Sequence, residues 1–202
     1  MIRFLQKELR AEISKFLDCS SWKPGQEPWL YKSTEKTPQG KHTPKGASSS
    51  QRFERAPMSL KERMIENEVQ GIVNKRNNFE NMLLEVSKKN SSCSEQWHLL
   101  VLQMLSSSST SYLDILMFFY SFNHLFTKLT KTKEANFALQ VLLTFDKLNE
   151  KSSETLQQNG KIFDDLFVEL VISHCVQLST HPYGNWLLGT LLVEHRQFLK
   201  NC

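Results

Sequence analysis

Residues able to do chemistry are few in this chain, and their spacing argues against a reaction centre. His174-Cys175, followed at short range by His181, is the only local group of soft ligands. Neighbouring residues on a helix diverge by about 100°, so His174 and Cys175 cannot grip one ion together. The six histidines are His42, His98, His124, His174, His181 and His195, and no two stand three or four residues apart. Nor is there a paired-cysteine spacing, so no metal ligands are assigned. Asp164, Asp165 and Glu169 form an acidic group. Two carboxylates divide acid and base roles only where their environments push their pKa values apart. These alternate with apolar positions, the pattern of a solvated helix face. Glycine-rich phosphate cradles, nucleophile elbows, paired-histidine zinc motifs and calcium loops do not occur. The expectation is a non-enzymatic protein with no catalytic residue and no cofactor.

Binding residues are easier to find. Trp22-Lys23-Pro24-Gly25-Gln26-Glu27-Pro28-Trp29-Leu30-Tyr31-Lys32 interleaves large aromatics with lysines. Trp22, Trp29 and Tyr31 are candidate anchors for a partner protein. With Lys23 and Lys32 the same aromatics would suit unpaired bases and phosphates. A third use is to fold back and cover the rest of the chain. Thr37-Pro38 and Thr43-Pro44 are candidate phosphorylation sites at Thr37 and Thr43, where a phosphate would remove nearly two positive charges locally.

A second segment, Leu178-Ser179-Thr180-His181-Pro182-Tyr183-Gly184-Asn185-Trp186-Leu187-Leu188, resembles one Pumilio-type helical repeat, in which a Tyr-Gly-Asn start opens the RNA-reading helix. The resemblance implies that Asn185 touches a base edge and Trp186 stacks between bases. The next reading position is Gly189, which has no side chain to read with. The match covers one repeat and has no second copy, whereas an array needs several stacked units. The chain is therefore not assigned to that family. Leu187, Leu191 and Phe198 further along form a candidate partner surface, with core packing as the alternative.

The elements that must position these residues are helices. Ile72 to Asn159 contains neither glycine nor proline, while five of the six prolines fall between Pro24 and Pro57. Those two residues punctuate backbones, so their absence leaves helices and short polar connections. Ile2, Leu5, Leu9, Ile13 and Phe16 make one stripe of a first amphipathic helix. Ser59-x-x-Glu62, Ser92-x-x-Glu95 and Ser111-x-x-Asp114 are capping boxes opening three more. The second helix runs to about Lys89 with inward Leu60, Met64, Ile72, Phe79, Leu83 and Val86, and Gly71 is its weak point. The helix after Ser111 is apolar nearly all round and should be central. A fifth follows from Lys133 to Leu148. Polar residues 149–159 then link to a sixth helix opened by Gly160 and running to Cys175. The last starts at Pro182.

The expected fold is all-α: an irregular bundle or a short, solenoid-like stack of helix hairpins over residues 58–202. An N-terminal helix at 1–18 and a flexible basic segment at 19–57 precede it. Residues 1–57 carry 11 Lys/Arg against 6 Asp/Glu and the remainder 14 against 15, so the net +4 belongs to the N-terminal part. Four widely spaced cysteines fit a reducing compartment. Charges throughout the first helix argue against a secretory leader. Tyr112–Phe126 is broken by Asp114, Asn123 and His124 and is short of the roughly 20 residues of a membrane span. The reading is a soluble intracellular protein, nuclear or cytoplasmic, acting as an adaptor or scaffold for protein partners, with nucleic-acid binding as the alternative.

Overall fold

The computed structural model describes residues 1–30, 58–88, 93–143 and 153–194. Among them lie α1 (Ile2–Ile13), a 3-10 turn (Pro28–Leu30), α2 (Leu60–Lys88), α3 (Cys93–Ser106), α4 (Tyr112–Leu129), α5 (Lys133–Leu142), α6 (Glu154–Ser173), α7 (Cys175–Ser179) and α8 (Pro182–Glu194), with no strand.

Two of the expected capping boxes set helix starts. Ser59 N donates to Glu62 Oε2 at 2.7 Å and Glu62 N to Ser59 Oγ at 3.2 Å. At α4, Ser111 N donates to Asp114 Oδ2 at 2.9 Å and Asp114 N to Ser111 Oγ at 3.3 Å. The box at Ser92 lies outside the described residues. Gly71 passes inside a continuous α2 without a break.

As its composition requires, α4 is the axis of the core. It is buried on almost every side from Leu113 to Phe122, and again at Phe126 and Leu129. Its Phe119 meets Phe163 of α6 at 5.0 Å between ring centroids, its Phe122 meets Trp97 of α3 at 5.4 Å, and its Phe118 meets Phe79 of α2 at 5.8 Å. Helices α1 and α2 pack on α4, α3 packs on α5 and α6, and α8 rests on α5 and α7. The heaviest contacts join helices two apart in the chain, α2 with α4 and α3 with α5. With α4 enclosed by α1, α2 and α6, the fold is the expected all-α helical bundle.

Several expectations are corrected. Residues 19–30 are packed, not free. Arg10 of α1 gathers them by donating from Nη1 to Glu27 Oε1 and from Nη2 to the carbonyls of Cys19 (2.6 Å) and Trp22 (2.8 Å). Trp29 and Leu30 then enter the core, where Tyr120 Oη donates to Leu30 O at 2.9 Å and Arg76 Nη1 to Trp29 O at 3.4 Å. α1 stops at Ile13, so Leu17 turns inward and Phe16 outward. Leu60 and Met64 project into solvent at 70% and 60% exposure, while the buried stripe of α2 is Ile72, Val73, Arg76, Glu80 and Leu83. The sixth helix begins at the Ser153 cap, whose hydroxyl accepts from Leu156 N at 3.4 Å; Gly160 lies buried within it. His174 ends that helix, short of the expected Cys175, and redirects the chain into α7, where Cys175 is exposed. Of the rest of 19–57, residues 31–57 lie outside the described residues.

Candidate functional site

The N-terminal aromatics are absorbed by the fold. Trp29 is fully buried and Trp22 half-buried, with their rings edge to face at 5.1 Å. Trp29 is therefore a core residue and does not anchor a partner. Lys23 is exposed beside them. Tyr31, Lys32, Thr37 and Thr43 lie outside the described residues. Burial pushes the thiol of nearby Cys19 above its ordinary range; Arg10 opposes this, and Glu27 and Asp18 add to it.

Residues at the joint of α7 and α8 behave differently. Pro182 takes the first helical position of α8, where a missing amide costs nothing. Gly184 follows because a Cβ there would lie 2.3 Å from Leu178 O, so only glycine lets α8 close on α7. These two requirements account for most of the Pro-Tyr-Gly element without any nucleic acid. Leu187 and Leu191 are buried, so they belong to the packing face of α8 and not to a partner surface. Thr190 Oγ1 donates to Gln140 Oε1 of α5 at 3.1 Å and fixes the helix's rotation. Phe198 lies outside the described residues.

With that face packed, the other is left outward. Asn185 and Trp186 are exposed, Trp186 by 54%, and Gly189, Leu192 and Val193 (67%) accompany them. Between Pro182 and Val193 there is no charged residue. Exposed Val176 of α7 and Phe137 of α5 add apolar surface on the neighbouring helices. A row of rings leads from this face to the joint: Trp186 meets Tyr183 at 5.3 Å, and Tyr183 meets His181 at 5.6 Å.

His181 lines a pocket of about 360 Å³ with Phe126, Thr127, Thr130, Lys131, His174, Gln177, Leu178 and Thr180. His174 is set there by its contact with Phe126, ring to ring at 5.0 Å, and by Nδ1 at 3.0 Å from Leu170 O. A wider groove of about 650 Å³ runs between α2 and α3 over Phe79, Met82, Leu100 and Met104. At its edge Lys75 Nζ donates to Asp114 Oδ1 at 2.8 Å. Among the described residues no group of three or more His, Cys, Asp or Glu could hold a metal, and no helix is long and apolar enough to cross a membrane.

No family model, curated protein or solved structure matches the chain. Function has to be read from this geometry alone. Trp186 is legible in the sequence as a candidate, through its place in the repeat-like segment. Leu192 and Val193 are not singled out by the sequence, because the 187/191 stripe defines one face of the helix and they lie off it. The signal was present: apolar residues at 186, 192 and 193 lie off that stripe.

Proposed function

We propose that this chain is a non-enzymatic interaction subunit, an adaptor or scaffold, whose partner protein covers the outer face of α8. The observation that carries the proposal is a run from Pro182 to Val193 without charge, whose Trp186, Leu192 and Val193 are all more than half exposed. Scattered exposed apolar side chains are ordinary, but a contiguous set on one helix marks an interaction surface. A half-exposed tryptophan beside small Gly189 suits the anchor role that dominates many interfaces. Free thiols at Cys19 and Cys175 agree with work inside the cell, in nucleus or cytoplasm.

The test is photo-crosslinking from position 186 in cells, compared with capture by Trp186→Ala. The expected outcome is one dominant protein partner, lost at least tenfold in the variant while the melting temperature stays within about 2 °C, as for a surface substitution. Equal capture by Trp186→Ala would sink the reading. Adjacent exposure of Asn185 and Trp186 favours a second reading, nucleic acid on the same helix, with Lys23 as a contact on the N-terminal loop. A crosslinked RNA whose binding falls steeply with salt would select it.

A further inference from the structure

The pocket beside His181 has a lining whose hydrogen-bonding capacity is unbalanced. Its side chains include Lys131, His174, His181, Gln177 and three threonines, and no Asp or Glu. The threonine hydroxyls are spent: Thr127 donates to Gln177 Oε1, Thr130 to Thr127 O and Thr180 to Gln177 O. The nitrogen donors are not. Lys131 Nζ has no acceptor among the described residues, and Gln177 uses its oxygen but not its amide nitrogen. His181 Nδ1 is buried without a partner. His174 donates from Nδ1 to Leu170 O, so its Nε2 is a further donor only when the ring is protonated. A lysine ammonium, an amide N–H and two imidazole rings thus line a pocket that contains no carboxylate.

We infer that this pocket is an oxyanion subsite, and that it takes a carboxylate or phosphoryl group carried by the partner segment that lies on α8. This rests on the reading of α8 as the partner-covered face. Hydrogen bonds between ionised groups are shorter and stronger than neutral ones, so an oxyanion gains most from this donor set. A volume of about 360 Å³ holds such a group with water around it, since one water occupies about 30 Å³. α8 begins at Pro182, directly after His181, so the positive end of its dipole lies at the pocket's edge. The row His181–Tyr183–Trp186 joins pocket and apolar face, so one short segment can use both. The partner is accordingly an acidic or phosphorylated peptide with apolar residues beside its charge.

Inorganic phosphate, titrated into the full chain at constant ionic strength against chloride, is the first probe. The imidazole NMR signals of His174 and His181 are expected to shift saturably. Lys131→Gln, at an exposed position, should weaken the midpoint roughly tenfold, the value of one charged hydrogen bond. Trp186→Ala should leave it within about twofold, because Trp186 does not line the pocket. Shifts linear in phosphate, equal shifts with chloride, or an unchanged midpoint in Lys131→Gln would overturn the subsite. The second arm sequences the segment crosslinked at position 186. An Asp, Glu or phosphorylated residue close to the crosslink, with yield reduced by Lys131→Gln, supports the partner-borne source. A segment without acid overturns it. Phosphate binding without any crosslink overturns the α8 reading and leaves the pocket as a site for free oxyanion.

Discussion

Asp114 shows how one side chain can close several bonds at once. Burial pushes its carboxyl up, but the hydrogen bonds from Lys75 and Ser111 outweigh burial, and the net position is below the ordinary carboxylate value. A depressed carboxylate contributes stability that is present above its unfolded pKa, about 3.9, and lost as pH falls through the folded value. Asp114→Ala should cost about 1–2 kcal/mol near neutrality, the sum of a cap contact and a half-exposed ion pair. In urea unfolding that difference should be constant above about pH 5 and shrink towards pH 3. A difference that grows with acid would show that the ion pair is not the source. The cap was readable because Ser111 and Asp114 are three residues apart and act locally. Lys75 as partner was not, since it approaches from another helix. The same limit hid Arg76, which helical periodicity places on the inward stripe with Ile72, Phe79 and Leu83 but whose charge suggests a solvent-facing position. It is almost fully buried because Trp29 O accepts from it and Ser121 Oγ donates to its carbonyl at 3.3 Å.

At the scale of elements, two glycines inside helices have opposite meanings. Gly71 sits in the exposed run of α2 with nothing within 4 Å of where a Cβ would stand. There glycine only adds freedom to the unfolded chain, so Gly71→Ala should stabilise by about 0.5–1 kcal/mol. Gly184 faces the backbone of Leu178, and neither Leu178 O nor its Cα can move without parting α7 from α8. Gly184→Ala should destabilise by about 1–3 kcal/mol, in the range of overpacked sites. Thermal melts of the two variants side by side check both signs. A stabilising Gly184→Ala would mean that α7 and α8 are not in close contact, and the pocket they border would lose its wall. From sequence alone the two positions look alike, each a glycine within an apolar-periodic run. Only the neighbour brought across the turn separates a weak point from a requirement. The start of α6 illustrates the converse: the local signal that sets it is the Ser153 cap, while Gly160, the expected start, lies within the helix.

For the whole molecule, the first thirty residues are part of the core and not an attachment to it. Leu5, Leu9 and Ile13 are completely buried, and α1 packs on α4, the axis of the bundle. Full burial of such side chains contributes about 1.5–3 kcal/mol each, and Trp29 adds a larger ring. Their removal together approaches the entire stability of a domain, typically about 5–15 kcal/mol. A chain of residues 58–202 alone should therefore show a lowered, broad thermal transition and self-association by size exclusion, with the uncovered side of α4 as the adhesive surface. Supplying residues 1–30 as a separate peptide should sharpen the transition, because α1 and the Arg10-gathered loop carry their own internal contacts. A cooperative, monomeric 58–202 with an unchanged melting temperature would refute this account of α1. The boundary expected after residue 57 followed composition, which changes where the prolines and basic residues end. Packing follows the buried aromatic instead, and Trp29 carries the polypeptide into the core well before the composition turns apolar. Loss of a partner on truncation would consequently report an unfolded bundle, so the α8 face has to be tested by single exposed substitutions in the intact chain.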